Sequence, residues 1–325
     1  MRPERRSRPG VDGGPLPPPP QNYLTLAERY PHKTARRHLF PPQPALRHYR
    51  SQTNGWMGDQ NYLGPNPAYG TTLTYYLKEK TPAKIHIFDG QNKKIAEVRT
   101  VPAEAGLNRA NWNLRYEAPR RRANAAPGED PDADAPGQRG GGGSPQAVPG
   151  KYTAKLLIGD EVVSETQIEV RLDPTLTVSQ ADLQSQFDHA IRLRDLASNV
   201  NDALRALDLT KAQLEASEKL AAKADQPKIA EMKNRVEAEI ARFASGALRY
   251  RTIKKPRLSE EIGPVLAGIA GGNLAPTQYQ IEAANQLAAE YKIEAAAYSQ
   301  FRKEVLPAWN EELRKLGLPG LSVGK

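Results

Sequence analysis

No cysteine occurs in the 325 residues, which excludes disulfides, thiolate metal sites and a cysteine nucleophile. The missing cysteines say little about compartment. No apolar run approaches the ~18 residues that a membrane-spanning helix needs. The first ten residues, Met1 to Gly10, are basic, but no apolar stretch follows them, so no signal peptide is visible. No phosphate loop is present: Gly150-Lys151 is followed by Tyr152 and leads into a strand pattern, and the glycine run 140–143 opens no helix. The Gly-x-Ser-x-Gly nucleophile elbow is absent as well. Five histidines are available, His32, His38, His48, His86 and His189. The first three are spaced by six and ten residues with no carboxylate cluster beside them, which is not a zinc pattern. His86 alternates with Ile85 and Ile87 and is expected to face outward, and His189 beside Asp188 is expected on a solvated helix face. Acidic pairs such as Glu260-Glu261 and Glu311-Glu312 sit at helix starts or on exposed faces, where the helix dipole or solvent suffices to explain them. From this sequence, no cofactor and no metal are expected.

The composition is polar for a globular chain, with 38% apolar and 26% charged residues, so part of it is expected to stay unpacked. The formal charge of +9 is concentrated at the start. Residues 1–50 hold ten Lys and Arg against three acids, leaving the remainder near neutral. A basic segment of this kind can touch polyanions, but it is proline-rich and lacks interleaved aromatics in its first twenty residues. A solvated tail is expected, with no specific nucleic-acid partner.

The chain divides into four stretches. Residues 1–21 end in four consecutive prolines and read as a disordered, polyproline-type tail. Residues 22–64 carry scattered apolar anchors (Leu24, Leu26, Leu39, Phe40, Leu46) without a period. They run into a loop with Trp56, Met57, Asp59 and Tyr62, and Trp56 is expected to pack over a domain edge or meet a partner. Residues 65–174 show a period of two: Thr71 to Leu77, Ala83 to Asp89, Lys94 to Val101, Gly106 to Leu114, Lys151 to Ile158 and Glu161 to Leu172. Asp89-Gly90 and Gly159-Asp160 mark two hairpins. About six antiparallel strands in about a hundred residues suggest an immunoglobulin-like sandwich. Residues 117–149, rich in glycine, proline and alanine, read as a flexible insertion. Trp112 is expected in the core. Tyr75 and Tyr76, if exposed, would offer a platform for sugar rings.

Residues 178–318 change to helical spacing. Ser179 with Asp182 is a capping box, followed by a stripe of Leu183, Phe187, Ile191, Leu196, Val200, Leu204 and Leu207. Asp225-Gln226-Pro227 restarts a helix with Ile229, Met232, Val236, Ile240 and Phe243 on one face. A short helix from Ser259 stops at Gly271-Gly272. Thr277 with Gln280 caps a last long helix, which Leu306-Pro307 kinks or ends. Such stripes must be covered, so an antiparallel helical bundle is expected. The architecture predicted is multidomain, β then α.

One ordered series carries a resemblance: Gly64-Pro65-Asn66-Pro67-Ala68-Tyr69-Gly70, Tyr75-Tyr76-Leu77-Lys78, Ile85-His86-Ile87-Phe88-Asp89, Ala105-Gly106-Leu107-Asn108 through Trp112 to Tyr116, Pro149-Gly150-Lys151-Tyr152, Leu172-Asp173-Pro174 and Leu306-Pro307-Ala308-Trp309-Asn310. It resembles the C-terminal region of bacterial sortilin-like BNR-repeat propeller proteins, often labelled glycosyl hydrolases, over roughly residues 22 to 320. Leu39-Phe40-Pro41-Pro42 to Arg47 resembles the exit from a last propeller blade. The resemblance implies an extracytoplasmic location and a β-propeller partner. The chain has no Ser-x-Asp-x-Gly-x-x-Trp box, so a hydrolase label would belong to a part not found here. It implies a truncated or split family member acting as a non-catalytic interaction or scaffold tail. Alternatives are a carbohydrate-binding accessory module, with Tyr75 and Tyr76 as its platform, and a hydrolase in its own right.

Overall fold

A computed structural model describes residues 37–48, 68–98, 101–122, 143–245 and 255–322. The proline-rich tail 1–21, the Trp56 loop and the middle of the insertion lie outside the described residues. Eight strands come first: β1 (Arg37–Leu39), β2 (Ala45–Arg47), β3 (Thr71–Leu77), β4 (Lys84–Phe88), β5 (Lys94–Glu97), β6 (Gly106–Trp112), β7 (Gly150–Ile158) and β8 (Glu161–Leu172). They form a three-stranded sheet, β1-β3-β6, and a five-stranded sheet, β2-β8-β7-β4-β5.

Alternation decides which side of each strand is buried. On β3, Thr71, Leu73, Tyr75 and Leu77 are buried. Leu73, Tyr75 and Leu77 share one apolar core with Ile85, Ile87, Tyr152, Ala154, Leu156, Ile168 and Val170 of the other sheet. Trp112 belongs to this core, as its place on a strand suggests. Its ring lies 5.4 Å from that of Tyr152, and its Nε1 donates to the Arg115 carbonyl at 3.0 Å. Both hairpins form, β4 with β5 and β7 with β8, all antiparallel. Gly70 closes the start of β3 with φ of +112°. A Cβ there would stand 1.9 Å from the Trp112 carbonyl oxygen, so only glycine fits.

Residues 37 to 47, within the segment read from sequence as a propeller exit, pair with the two sheets. β1 pairs antiparallel with β3, and β2 pairs parallel with β8. The two sheets therefore include strands from Arg37 onward, ahead of the stretch 65–174 where the sequence pattern places them. Each of these strands has only three residues, too few for a period to declare itself. The ends of the insertion are also built in. Glu117 N donates to the Ile95 carbonyl at 2.8 Å, Ala147 N donates to the Leu114 carbonyl at 2.8 Å, and Ser144 and Ala147 are buried.

The helices follow as α1 (Gln180–Leu220), α2 (Gln226–Phe243), α3 (Leu258–Ala270), α4 (Gln278–Gln300) and α5 (Leu306–Lys315). Both predicted capping boxes are present, Ser179 with Asp182 on α1 and Thr277 with Gln280 on α4. Pro227 stands in the first turn of α2, where a missing N–H costs nothing. A π-helical turn, Phe301–Val305, joins α4 to α5 just ahead of Pro307, with Leu306 N donating to the Phe301 carbonyl. The 41 residues of α1 extend about 60 Å at 1.5 Å per residue. α1 is the spine of the helical core, which includes Leu193, Leu204, Leu214, Val236, Phe243, Ile262 and Leu313.

Candidate functional site

The two modules meet at a buried arginine. Arg47 ends β2 on an inward-facing position and is 1% exposed. Its Nη2 donates to Gln186 Oε1 on α1 at 2.6 Å, its Nε to Asn273 Oδ1 after α3 at 2.8 Å, and its Nη1 to the Ala147 carbonyl at 3.1 Å. Gln186 in turn donates to the Ile269 and Gly272 carbonyls, each at 2.7 Å. All these acceptors are neutral. Burial pulls the guanidinium down to about 10, which still leaves it charged at neutral pH. One cation thus ties strand β2, the returning insertion, α1 and the end of α3 into a single polar knot. Two ion pairs add to it along α1: Arg120 reaches Asp202 at 2.6 Å, and Arg122 grips Asp208 with two bonds of 2.6 Å.

Above this knot the modules leave a cleft of about 550 Å³. Its walls are the β4–β5 turn, the stretch after β6, the start of β7 and the first half of α1. The floor carries two half-buried rings, Tyr116 and Phe187, with centroids 4.8 Å apart. Tyr152 lies beside them, with its hydroxyl donating to the Val148 carbonyl at 2.9 Å. Burial pushes the Tyr152 hydroxyl up to about 12. Tyr116 is pushed up further, by burial first and then by Tyr152 and Asp89. Neither phenol is therefore a base near neutral pH. Asp89 Oδ1 accepts from the backbone N–H groups of Gln91 and Lys93 at 3.0 and 2.9 Å, fixing the turn. Arg194 Nη1 donates to the Glu117 carbonyl at 3.2 Å and its Nε lies 2.7 Å from Asp195 Oδ1. A smaller hollow of about 370 Å³, beside Pro119 and Ile262, is lined mostly by apolar and small side chains.

The residues singled out from sequence fall elsewhere. Tyr75 is fully buried, its hydroxyl donating to the Pro102 carbonyl, and burial pushes it up to about 12. Tyr76 lies on the opposite face of β3, half-buried, paired in register with His38 and Leu107. Adjacent strand residues point to opposite faces, so the two tyrosines do not make one platform. Trp56 lies outside the described residues. His38 meets Phe40 and His48 meets Tyr69 in edge-on ring contacts, and His86 meets Glu97 at 3.1 Å. His189 is half-buried on α1, and burial lowers its pKa. Glu260 closes the start of α3 by accepting from the backbone N–H of Arg257 at 2.9 Å. Among the described residues, no group of His, Asp and Glu is arranged to hold a metal ion, and no helix is long and apolar enough to cross a membrane.

Sequence reasoning missed Arg47, Gln186, Asn273, Tyr116 and the docking role of Phe187. A signal existed for two of them. Arg47 occupies the inward parity of Ala45, and Gln186 sits three residues after Leu183 and four before Ala190, within a buried stripe. A polar side chain at a core position asks for partners from another element. No protein family, curated protein or solved structure matches this chain.

Proposed function

We propose that this chain is a non-catalytic interaction and scaffold protein, the tail of a sortilin-like BNR-repeat propeller protein that works outside the cytoplasm. Its β module is read as an immunoglobulin-like sandwich. Three features support that finer reading. The strand order sets β1-β3-β6 against β2-β8-β7-β4-β5. The first strand is divided between the sheets, with its second half parallel to the last strand. Tyr152 near the start of β7 bonds back to the backbone four residues upstream, in the manner of a tyrosine corner.

The observation that carries the scaffold reading is the Arg47 knot. A desolvated guanidinium is tolerated only when its donors are matched, and leaving its buried acceptors unmatched costs about 1–3 kcal/mol each. The knot therefore resists motion between the modules, and a partner meets one fixed surface spanning both. Arg47, Gln186 and Asn273 are consumed in holding it. Titrating the full chain with a BNR-repeat propeller by calorimetry tests the reading. Micromolar binding that weakens when the modules are uncoupled by Arg47→Met is expected. Absence of heat and of any shift in melting temperature would sink it.

A second reading, a carbohydrate-binding accessory module, loses the Tyr75 and Tyr76 platform but is favoured by the rings in the cleft.

A further inference from the structure

We infer that the cleft between the modules binds a short neutral or mildly acidic oligosaccharide. This rests on the second reading above, that of a carbohydrate-binding module, and does not rest on propeller docking. Sugars are recognised where apolar ring surface, fixed donors and acceptors, and little net charge coincide. Tyr116 and Phe187 give the ring surface, 4.8 Å apart at the floor. Fixed polar groups surround it. Asp89 spends Oδ1 on two turn N–H groups, so its carboxylate holds one orientation with Oδ2 left over. Arg194 is held between the Glu117 carbonyl and Asp195, and is mostly buried.

The charges nearly balance. Asp89, Glu117 and Asp195 stand among Lys93, Lys94, Lys151 and Arg194, while the remaining cation, Arg120, is occupied by Asp202. A phosphate-rich polymer would meet three carboxylates, and a lipid chain would strip water from the charged rim without replacing it. An extended peptide would seek a free strand edge, yet the nearby edge of β5 is already capped by the bond from Glu117 N to the Ile95 carbonyl at 2.8 Å. A volume of about 550 Å³ at a module boundary falls within the range of small-ligand sites. The Arg47 knot holds the walls before any ligand arrives, which lowers the ordering cost of binding.

The test is calorimetry on the full chain with five trisaccharides, built from glucose, N-acetylglucosamine, mannose, xylose and galacturonic acid, and with a mixed-charge hexapeptide as control. At least one sugar should bind with Kd below about 1 mM. Phe187→Ala should weaken it about 10-fold or more. Because Phe187 also touches the sandwich, Arg194→Gln and Gln184→Ala serve as variants on the wall, with melting curves run alongside, and Arg194→Gln should weaken it similarly. Silence from all five sugars at about 5 mM, binding that ignores both Phe187→Ala and Arg194→Gln, or heat from the peptide alone would each overturn the inference. Propeller docking, measured separately, would be unaffected by any of these outcomes.

Discussion

The sandwich and the helical bundle each bury an apolar cluster of their own, and they do so by opposite means. The sandwich draws its core from eight short segments, two of them three residues long. The bundle draws its core from a few long helices around the single spine of α1. The sandwich therefore depends on backbone positions that permit close approach, whereas the bundle depends on side chains that fill stripes. Their shared boundary combines the Arg47 knot and two arginine–aspartate pairs with the ring contact of Tyr116 and Phe187. The difference teaches where each module is brittle.

The sharpest way to break the comparison is Gly70→Ala. The added Cβ would collide with the Trp112 carbonyl, and φ is held in the left-handed region, so a loss of about 4 kcal/mol is expected. Hydrogen exchange should report lost protection on β3 and β6 first, with the amides of α2 retained. Equal loss in both modules would mean that they fold as one unit.

Arg47→Met sharpens the comparison at the boundary. It leaves Gln186, Asn273 and the Ala147 carbonyl without their donor, at an expected cost of about 3 kcal/mol. Calorimetric melting should then split into two transitions, sandwich and bundle. A single transition displaced by less than about 1 kcal/mol would show that the knot does not couple them.

The smallest effect lies within the bundle. Glu239 on α2 and Glu294 on α4 share Arg242, which sits 2.7 Å from Glu294 but 3.8 Å from Glu239. Burial, aided by Glu294 and opposed by Arg242 and Arg235, pushes the Glu239 carboxyl above its ordinary range. A carboxyl raised by folding takes up a proton on folding. Its contribution is therefore favourable below the ordinary glutamate range and is lost as pH rises through the raised value. Glu239→Gln should raise the melting temperature at pH 7 by about 1 °C, and the gain should vanish on acidification toward pH 4. A gain independent of pH would remove the carboxyl as its cause.

What the sequence disclosed follows from the length of each signal. The 41 residues of α1, its capping box and the stripe on α2 were readable because several turns repeat the same spacing. The hairpins at Asp89-Gly90 and Gly159-Asp160 were readable because turn chemistry is local. β1 and β2 were not, since a three-residue strand becomes a strand only through partners more than thirty residues away, Tyr75 to Leu77 and Val170 to Leu172. Tyr75 and Tyr76 illustrate the same limit, because alternation puts one of them inside without saying which. The cleft was hidden for a further reason. Phe187 and Ile191 looked like part of the bundle stripe, but they line the side of α1 that faces the sandwich. A helix covered on two sides spreads its apolar residues beyond a single face, and spacing alone cannot assign them to one neighbour.

The parallel pairing of β2 with β8 has a mechanical meaning. β2 lies near the start of the chain, and β8 leads directly into α1. Because Ala45 to Arg47 run alongside Val170 to Leu172 in the same direction, tension applied ahead of β2 and beyond β8 pulls the two strands past each other lengthwise. Their backbone bonds, together with that from Asp173 N to the Arg47 carbonyl, then carry load simultaneously instead of opening one by one like a zipper. A polypeptide stretched between two anchored neighbours would meet concerted resistance at this short seam.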